Sequence, residues 1–501
     1  TGAHKSKVIS TNNLRIREGG GACTMLNLRG IFLAKLPPTQ AIAVPRDCRL
    51  EARVLYRGPR RLRKIQGKNC RNSVTLSPRK ERFTGRLRRR RSTKYAARRR
   101  VALYDASVLL VSREVAIMKV TAEEIARRVD SVLPILAENA QACVEARSLV
   151  PASMKAMVDA GLFRIPQPSR VGGYELGLRA LAGAVTTVSE TCPTSGWVLM
   201  VMCAHHFCLG TFPEQAQDDV FGGGRDGLVA GTLAWQGKAA RVDGGYRVSG
   251  RWQFCSGVDR SNWVMLGCAD AATGGPGVHV VVPTEEIAVD DTWHVLGLAG
   301  TGSKDVVAQD IFVPAGRAVD TRAMIRGDSP YSLKHATNLY RMSSDSMLSL
   351  SVTTAILGSA NFALAKFIDR TRERRVIVTG ARKAEHAPTQ IRLAEAAGEI
   401  QCAHLMVQDA LGVLEGVMQS GEGATDMNYR ARVKWQAAYG VELCRRAVAR
   451  LFAGSGAHGV YASSPLQTAF RNVNVGAQHA SIDFDSSGEL YGRMRLGLLS
   501  H

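Results

Sequence analysis

Residues 228–319 change the texture of the chain. They read as short β-branched runs split by turn signals such as Asp243-Gly-Gly245 and Gly274-Gly275, while the sequence on either side is apolar at helical spacing. A run with period 2 cannot serve as a helix, nor a 3.6-residue period as a strand. The chain is therefore confined to a three-part plan of helices, a β module and helices. Expected boundaries are 118–222 for the first helical domain, 223–330 for a β-barrel-like domain and 331–501 for a C-terminal four-helix bundle, an α+β fold that is mostly α. Thr121-Ala-Glu-Glu124 fits a capping box, and Pro151 and Gly161 bracket a further helix.

The net charge of +23 suggests a nucleic-acid partner until it is mapped. Residues 1–117 hold 29 Lys+Arg against 6 Asp+Glu, and the rest of the chain holds 37 of each. The charge thus belongs to one segment, with Arg88-Arg-Arg-Arg91 and Arg98-Arg-Arg100 at its core. That segment lacks a sustained helical or strand period and is read as a disordered or non-native extension ahead of Met118. A basic arm acting through phosphate contacts is the non-enzymatic alternative; no nucleic acid is expected as partner of the remainder.

Eleven cysteines, an odd number without framework spacing, predict reduced thiols of a cytoplasmic protein. The uncharged run 347–365 approaches membrane-spanning length, but its six Ser, Thr and Asn residues predict a buried bundle helix and no membrane partner.

Three stretches carry candidate chemistry. Trp252-Gln-Phe-Cys-Ser-Gly257 places the Ser256 hydroxyl at a strand end beside aromatic side chains, where a turn-capping serine is the plainer explanation. Gly300-Thr-Gly-Ser-Lys-Asp305 lets backbone amides approach a cofactor, though a β-turn needs only its glycines. His479 lies in a polar, helix-breaking stretch, and the ordinary imidazole pKa near neutrality suits it to give or accept a proton. Two further patterns are set aside. Gly454-Ser-Gly-Ala-His-Gly459 matches the dinucleotide fingerprint but follows a helical run instead of a strand. Cys203-Ala-His-His-Phe-Cys208 suggests metal ligands, yet no second cluster has metal-site spacing, so a core helix is expected and no metal.

Taken with the helix–β–helix order, Trp252-Gln-Phe-Cys-Ser-Gly257, residues 291–306 and Asp310-Ile-Phe-Val-Pro314 resemble the acyl-CoA dehydrogenase family. More specifically they are similar to its flavin-dependent monooxygenase branch, which includes the oxygenase component of p-hydroxyphenylacetate 3-hydroxylase and related hydroxylases of aromatic and indolic compounds. The resemblance spans 118–501. True dehydrogenases carry a glutamate base near the C-terminus; the stretch from Arg471 to Ser487 has none and offers His479.

The resemblance implies His479 and Ser256 as catalytic residues, with Ser256 facing the flavin N5. It implies Trp252, Phe254, Thr301, Ser303 and Arg375 as flavin contacts, with Arg372 or Arg375 reaching a phosphate across a subunit interface. The Arg374-Arg-Val-Ile-Val stretch departs from the dehydrogenases' usual Arg-x-x-Phe-Gly. His205 and Trp235 are the implied substrate contacts. The expected cofactor is reduced flavin, FADH2 or FMNH2, supplied by a separate NAD(P)H-dependent flavin reductase. O2 is the co-substrate and would form a C4a-hydroperoxide that oxidises a small phenol or indole in a bacterial homotetramer. The alternatives are an acyl-CoA dehydrogenase-type oxidoreductase and an N- or S-oxygenating relative.

Overall fold

The computed structural model describes residues 120–222, 226–376, 379–421 and 426–498, together with six short strand segments between positions 13 and 74. The chain divides into two compact units, Thr1–Met118 and Lys119–His501. In the first, Asn13–Arg17, Cys23–Asn27, Arg53–Arg57 and Leu62–Gln66 pair as an antiparallel sheet. Ile42–Ala43 and Ser73–Val74 form a second antiparallel pair, and the rest of that unit, including the arginine-rich stretch 86–100, lies outside the described residues.

The second unit opens with helices α1 (Ala122–Glu138), α2 (Ala140–Ala146), α3 (Pro151–Asp159), α4 (Leu178–Thr191), α5 (Pro193–Leu209) and α6 (Glu214–Phe221). Thr121 caps α1 by accepting the Glu124 N–H. The reciprocal half of the expected box does not form, because the Glu124 carboxylate turns to Arg128, 2.9 Å away. Helix α5 has no polar face: all 17 of its residues are buried. A helix that is apolar all round belongs at the centre of a fold, and α5 contributes to the site described below.

The β module contains β1 (Val229–Val242), β2 (Gly245–Cys255), β3 (Trp263–Asp270), β4 (Pro276–Pro283), β5 (Ala288–Asp290), β6 (Lys304–Pro314) and β7 (Ala318–Asp320). Their order is β5-β6-β2-β1-β3-β4-β7. All neighbours are antiparallel except β1 and β3. The expected barrel-like domain is thus an open sheet in its pairing, edged by two three-residue strands, which leaves little backbone for edge-to-edge association. Trp252 is completely buried in it and donates its indole N–H to the Gly267 carbonyl at 2.6 Å. Gly237 and Gly250 make room: a Cβ on Gly237 would lie 1.9 Å from the Trp252 ring.

The bundle is built from α8 (Ser344–Glu373), α9 (Ala387–Ser420), α10 (Met427–Gly454) and α11 (Pro465–Gly476), with α7 (Thr321–Arg326) before it and α12 (Phe484–Arg495) after it. Among the described residues α8 alone is long and apolar enough to cross a membrane, and 78% of that apolar window is buried by the protein. Its hydroxyls are largely satisfied within the fold: Thr353 and Ser359 bond the carbonyls four residues back, and Ser349 also reaches the Ser481 carbonyl at 2.7 Å. That explains how so polar a helix occupies the core. The fingerprint Gly454–Gly459 starts at the last residue of helix α10 and runs through Gly456, φ 68°, into the short turn Ala457–Val460, and it follows no strand.

Candidate active site

Strand β2 ends in a bulge. Across the pair with β6, Lys304 faces Cys255 and Val306 faces Trp252, so Gln253 and Phe254 share one partner position. Phe254 takes a left-handed backbone, φ 66°, which is costly for a bulky side chain. Residues two apart in a strand normally share a face; the bulge breaks that rule. Trp252 points into the sheet core, while Phe254 is 61% exposed, its ring edge-on to Trp293 with centroids 6.1 Å apart. Trp252 is therefore a packing residue whose indole N–H is already used, which corrects its assignment as a flavin contact. Phe254 keeps a free aromatic surface.

Just beyond the bulge, Ser256 is buried, with its Oγ 2.7 Å from the Ser303 Oγ. Ser303 Oγ is in turn 2.7 Å from Thr301 Oγ1, which donates to the Leu298 carbonyl at 2.8 Å. The two motif stretches thus join through a file of hydroxyls. Leu298 is itself left-handed, φ 56°, and its N–H is held by the buried Asn472 side chain of α11 at 2.7 Å.

From α5, Trp197 donates its indole N–H to Ser256 Oγ at 3.3 Å, and its ring meets that of His479, centroids 6.0 Å apart at 63°. Trp197 and His205 are two helical repeats of four residues apart, so they share a face of α5. His479 is half-buried at the start of a short turn, and its Nδ1 accepts the Ser481 N–H at 3.2 Å and lies 2.9 Å from the Ser481 hydroxyl. With Nδ1 an acceptor, the proton of the neutral ring resides on Nε2. Desolvation pushes the His479 pKa down to about 4.

His205 has the opposite tautomer. It is buried and its Nδ1 donates to the Val229 carbonyl at 3.0 Å, leaving Nε2 as a bare acceptor. Its pKa is also pushed down to about 4, first by burial and further by the nearby His479. Its neighbour His206 is occupied on both ring nitrogens: Nδ1 with the Phe163 carbonyl at 2.9 Å, Nε2 with the Val229 N–H at 3.3 Å. Among the described residues no group of three or more side chains is placed to hold a metal.

The structure thus brings Ser256, Thr301, Ser303, His479 and His205 into one neighbourhood, joined by Trp197. Two other candidates stand apart from it within the chain: Trp235 on strand β1, and Arg375, whose expected flavin contact crosses a subunit interface. Trp235 is 42% exposed and lies six residues along β1 from Val229, about 20 Å of extended strand. Arg375 is exposed and donates to the Gly380 carbonyl of its own turn at 3.1 Å. Lys304 is held by Asp259 at 2.9 Å. A bundle cavity of about 630 Å³ lined by Tyr429, Trp435 and Tyr491, among others, includes none of the site residues. Hydroxyls and imidazoles, and not cavity volume, mark the site. Trp197 had a sequence signal as an aromatic residue near the motifs and in its spacing from His205; Asn472 had none.

Residues 350–484 match the family described as acyl-CoA dehydrogenase, C-terminal domain. Over 76% of its length the chain is similar to the pigment production hydroxylase of Rhodococcus sp. (strain ATCC 21145), at 32% identity and covering 98% of that protein. It is also 32% identical to the oxygenase component of the FADH(2)-dependent resorcinol hydroxylase of Rhizobium sp. (strain MTP-10005), over 74% of this chain and 93% of that one. The crystal structure of 3-HSA hydroxylase from Rhodococcus sp. RHA1 superposes with a TM-score of 0.71 at 30% identity, covering 75% of this chain and 98% of its own.

Proposed function

Because the chain belongs to the oxygenase components of two-component flavin-dependent monooxygenases in the acyl-CoA dehydrogenase superfamily, we propose that it hydroxylates a small phenolic or indolic ring at the Ser256–His479–His205 site. The observation that carries this reading is the pair of imidazoles in opposite tautomers: His205 with a bare Nε2, His479 with its proton on Nε2. One can accept a hydrogen bond from a phenolic O–H and the other can donate one.

A flat, hydrogen-bonding cofactor fits the residues present. Phe254 offers an uncovered ring held out by strained backbone, and the buried Ser256 hydroxyl has a lone pair to spare. Reduced flavin bound there supplies the two electrons that, with O2, place one oxygen atom on the ring and release the other as water. Ser256, Thr301, Ser303 and Phe254 orient the flavin, FADH2 or FMNH2. His205 Nε2 accepts the substrate O–H and so makes the ring more electron-rich. His479 Nε2–H would donate a hydrogen bond toward the reacting centre. Trp197 keeps Ser256 and His479 in register. The buried surroundings of α5 exclude water, which would otherwise divert oxygen to hydrogen peroxide.

As an oxygenase component the protein works with a separate flavin reductase; NAD(P)H as its reductant, a homotetrameric assembly and the bacterial cytoplasm complete the reading. The test is anaerobic mixing with reduced flavin, followed by O2 and a panel of phenols and indoles. A hydroxylated product formed from one class, with flavin oxidation whose rate depends on that compound, is expected. Tight oxidised flavin that is reduced by an acyl-CoA without O2 would overturn it in favour of a dehydrogenase.

A further inference from the structure

The hydroxyl file has a direction. A carbonyl carries no hydrogen, and two oxygens 2.8 Å apart with none between them repel, so the Thr301 hydroxyl must donate to Leu298. Trp293 Nε1 converges on the same carbonyl at 3.0 Å, so that oxygen is a strongly committed acceptor. With its only hydrogen spent, Thr301 Oγ1 accepts from Ser303 at 2.7 Å. Ser303 has then spent its own, and accepts from Ser256 at 2.7 Å. At the other end the indole N–H of Trp197, which can only donate, delivers to Ser256 Oγ at 3.3 Å. Both ends impose the same polarity: Trp197 to Ser256 to Ser303 to Thr301 to Leu298.

Ser256 therefore has one hydrogen, pointed at Ser303, and two lone pairs, one of them taken by Trp197. Toward the cofactor it can only accept. Flavin changes sign at this position: N5 carries a hydrogen in the reduced form and is a bare acceptor when oxidised. We infer that the Ser303–Thr301–Leu298 relay makes Ser256 a selector of flavin redox state, favouring the reduced form that arrives and rejecting the oxidised form that must leave. The inference rests on the reading that Ser256 faces N5, and adds Ser303 and Thr301 as specificity-determining residues acting through it.

The test uses the full chain and compares dissociation constants for FAD and FMN in both redox states, by anaerobic titration of the reduced forms and aerobic titration of the oxidised ones. No turnover is needed. Ser303→Ala frees the Ser256 hydrogen to swing toward a bare N5. The preference for reduced over oxidised flavin should then shrink about tenfold, the worth of one hydrogen bond gained or lost, chiefly through tighter oxidised-flavin binding. Thr301→Val, which removes the anchor at constant shape, should move the ratio the same way, and Ser303→Thr should restore it. If Ser303→Ala and Thr301→Val weaken both forms equally, the relay is merely structural and the inference fails. If the wild-type protein binds neither form, the flavin reading itself fails with it.

Discussion

The Trp197 ring stands 6.0 Å from that of His479, centroid to centroid, and meets it edge-on. The two residues lie 282 positions apart in sequence on opposite sides of the β module, and their contact aligns the helical segment before the sheet with the bundle that follows it. The same indole grips Ser256. Trp197→Phe keeps an aromatic ring beside His479 while deleting the N–H together with part of the indole. A neutral buried hydrogen bond is worth about 1 kcal/mol, so reduced-flavin affinity should fall roughly fivefold while the fold survives. Equilibrium dialysis under nitrogen measures this; an unchanged affinity would remove Trp197 from the site.

Three buried imidazoles give the protein an acid limit. His205, His206 and His279 have pKa values pushed down to about 4 from an ordinary 6.5, chiefly by burial. Between those values the unfolded chain binds more protons than the folded one, so stability is full above about pH 6.5 and is lost as pH falls toward 4. The slope is on the order of 1.4 kcal/mol per pH unit for each group. Urea unfolding at pH 7, 6 and 5 should show steadily falling midpoints. A flat profile would mean that the three rings are not buried as neutral groups.

Trp252 separates packing from binding. Its ring is wedged over Gly237 and bonded to the Gly267 carbonyl, so Trp252→Phe loses a buried hydrogen bond and leaves a void. The expected cost is about 2 kcal/mol of stability, read from the urea midpoint, with flavin affinity of the folded fraction unchanged. A selective loss of flavin binding would return Trp252 to the cofactor.

How far the sequence disclosed this site depends on which physical rule governs each residue. The helix–β–helix order was legible because hydrophobic period is a local property. The loop around Thr301 and Ser303 was legible because its glycines permit backbone few other residues adopt. Trp252 and Phe254 were grouped wrongly for a reason equally physical: alternation puts residues two apart on one face, and a bulge is invisible until the register with β6 is known. Trp235 sits between two further irregularities in the β1–β3 pairing, and its aromatic character alone could not show where the strand carries it. The relay from Ser256 to Leu298 joins segments over 40 residues apart, which no spacing rule spans.

Phe254 supplies the sharpest test of strain serving function. An aromatic residue at φ 66° is held against its preference, and 61% of it is exposed, so burial repays little of that cost. Glycine adopts this backbone freely. Phe254→Gly should therefore raise stability, by about 1 kcal/mol after relief of the left-handed strain, with a higher urea midpoint. Removing the ring also removes the aromatic face offered to the cofactor, and reduced-flavin affinity should drop about tenfold. Most substitutions that delete a large side chain lower both quantities together, so opposite movement is diagnostic. A variant that is less stable and binds flavin normally would make Phe254 an ordinary packing residue against Trp293, and the left-handed turn at the end of β2 a feature of the sheet alone.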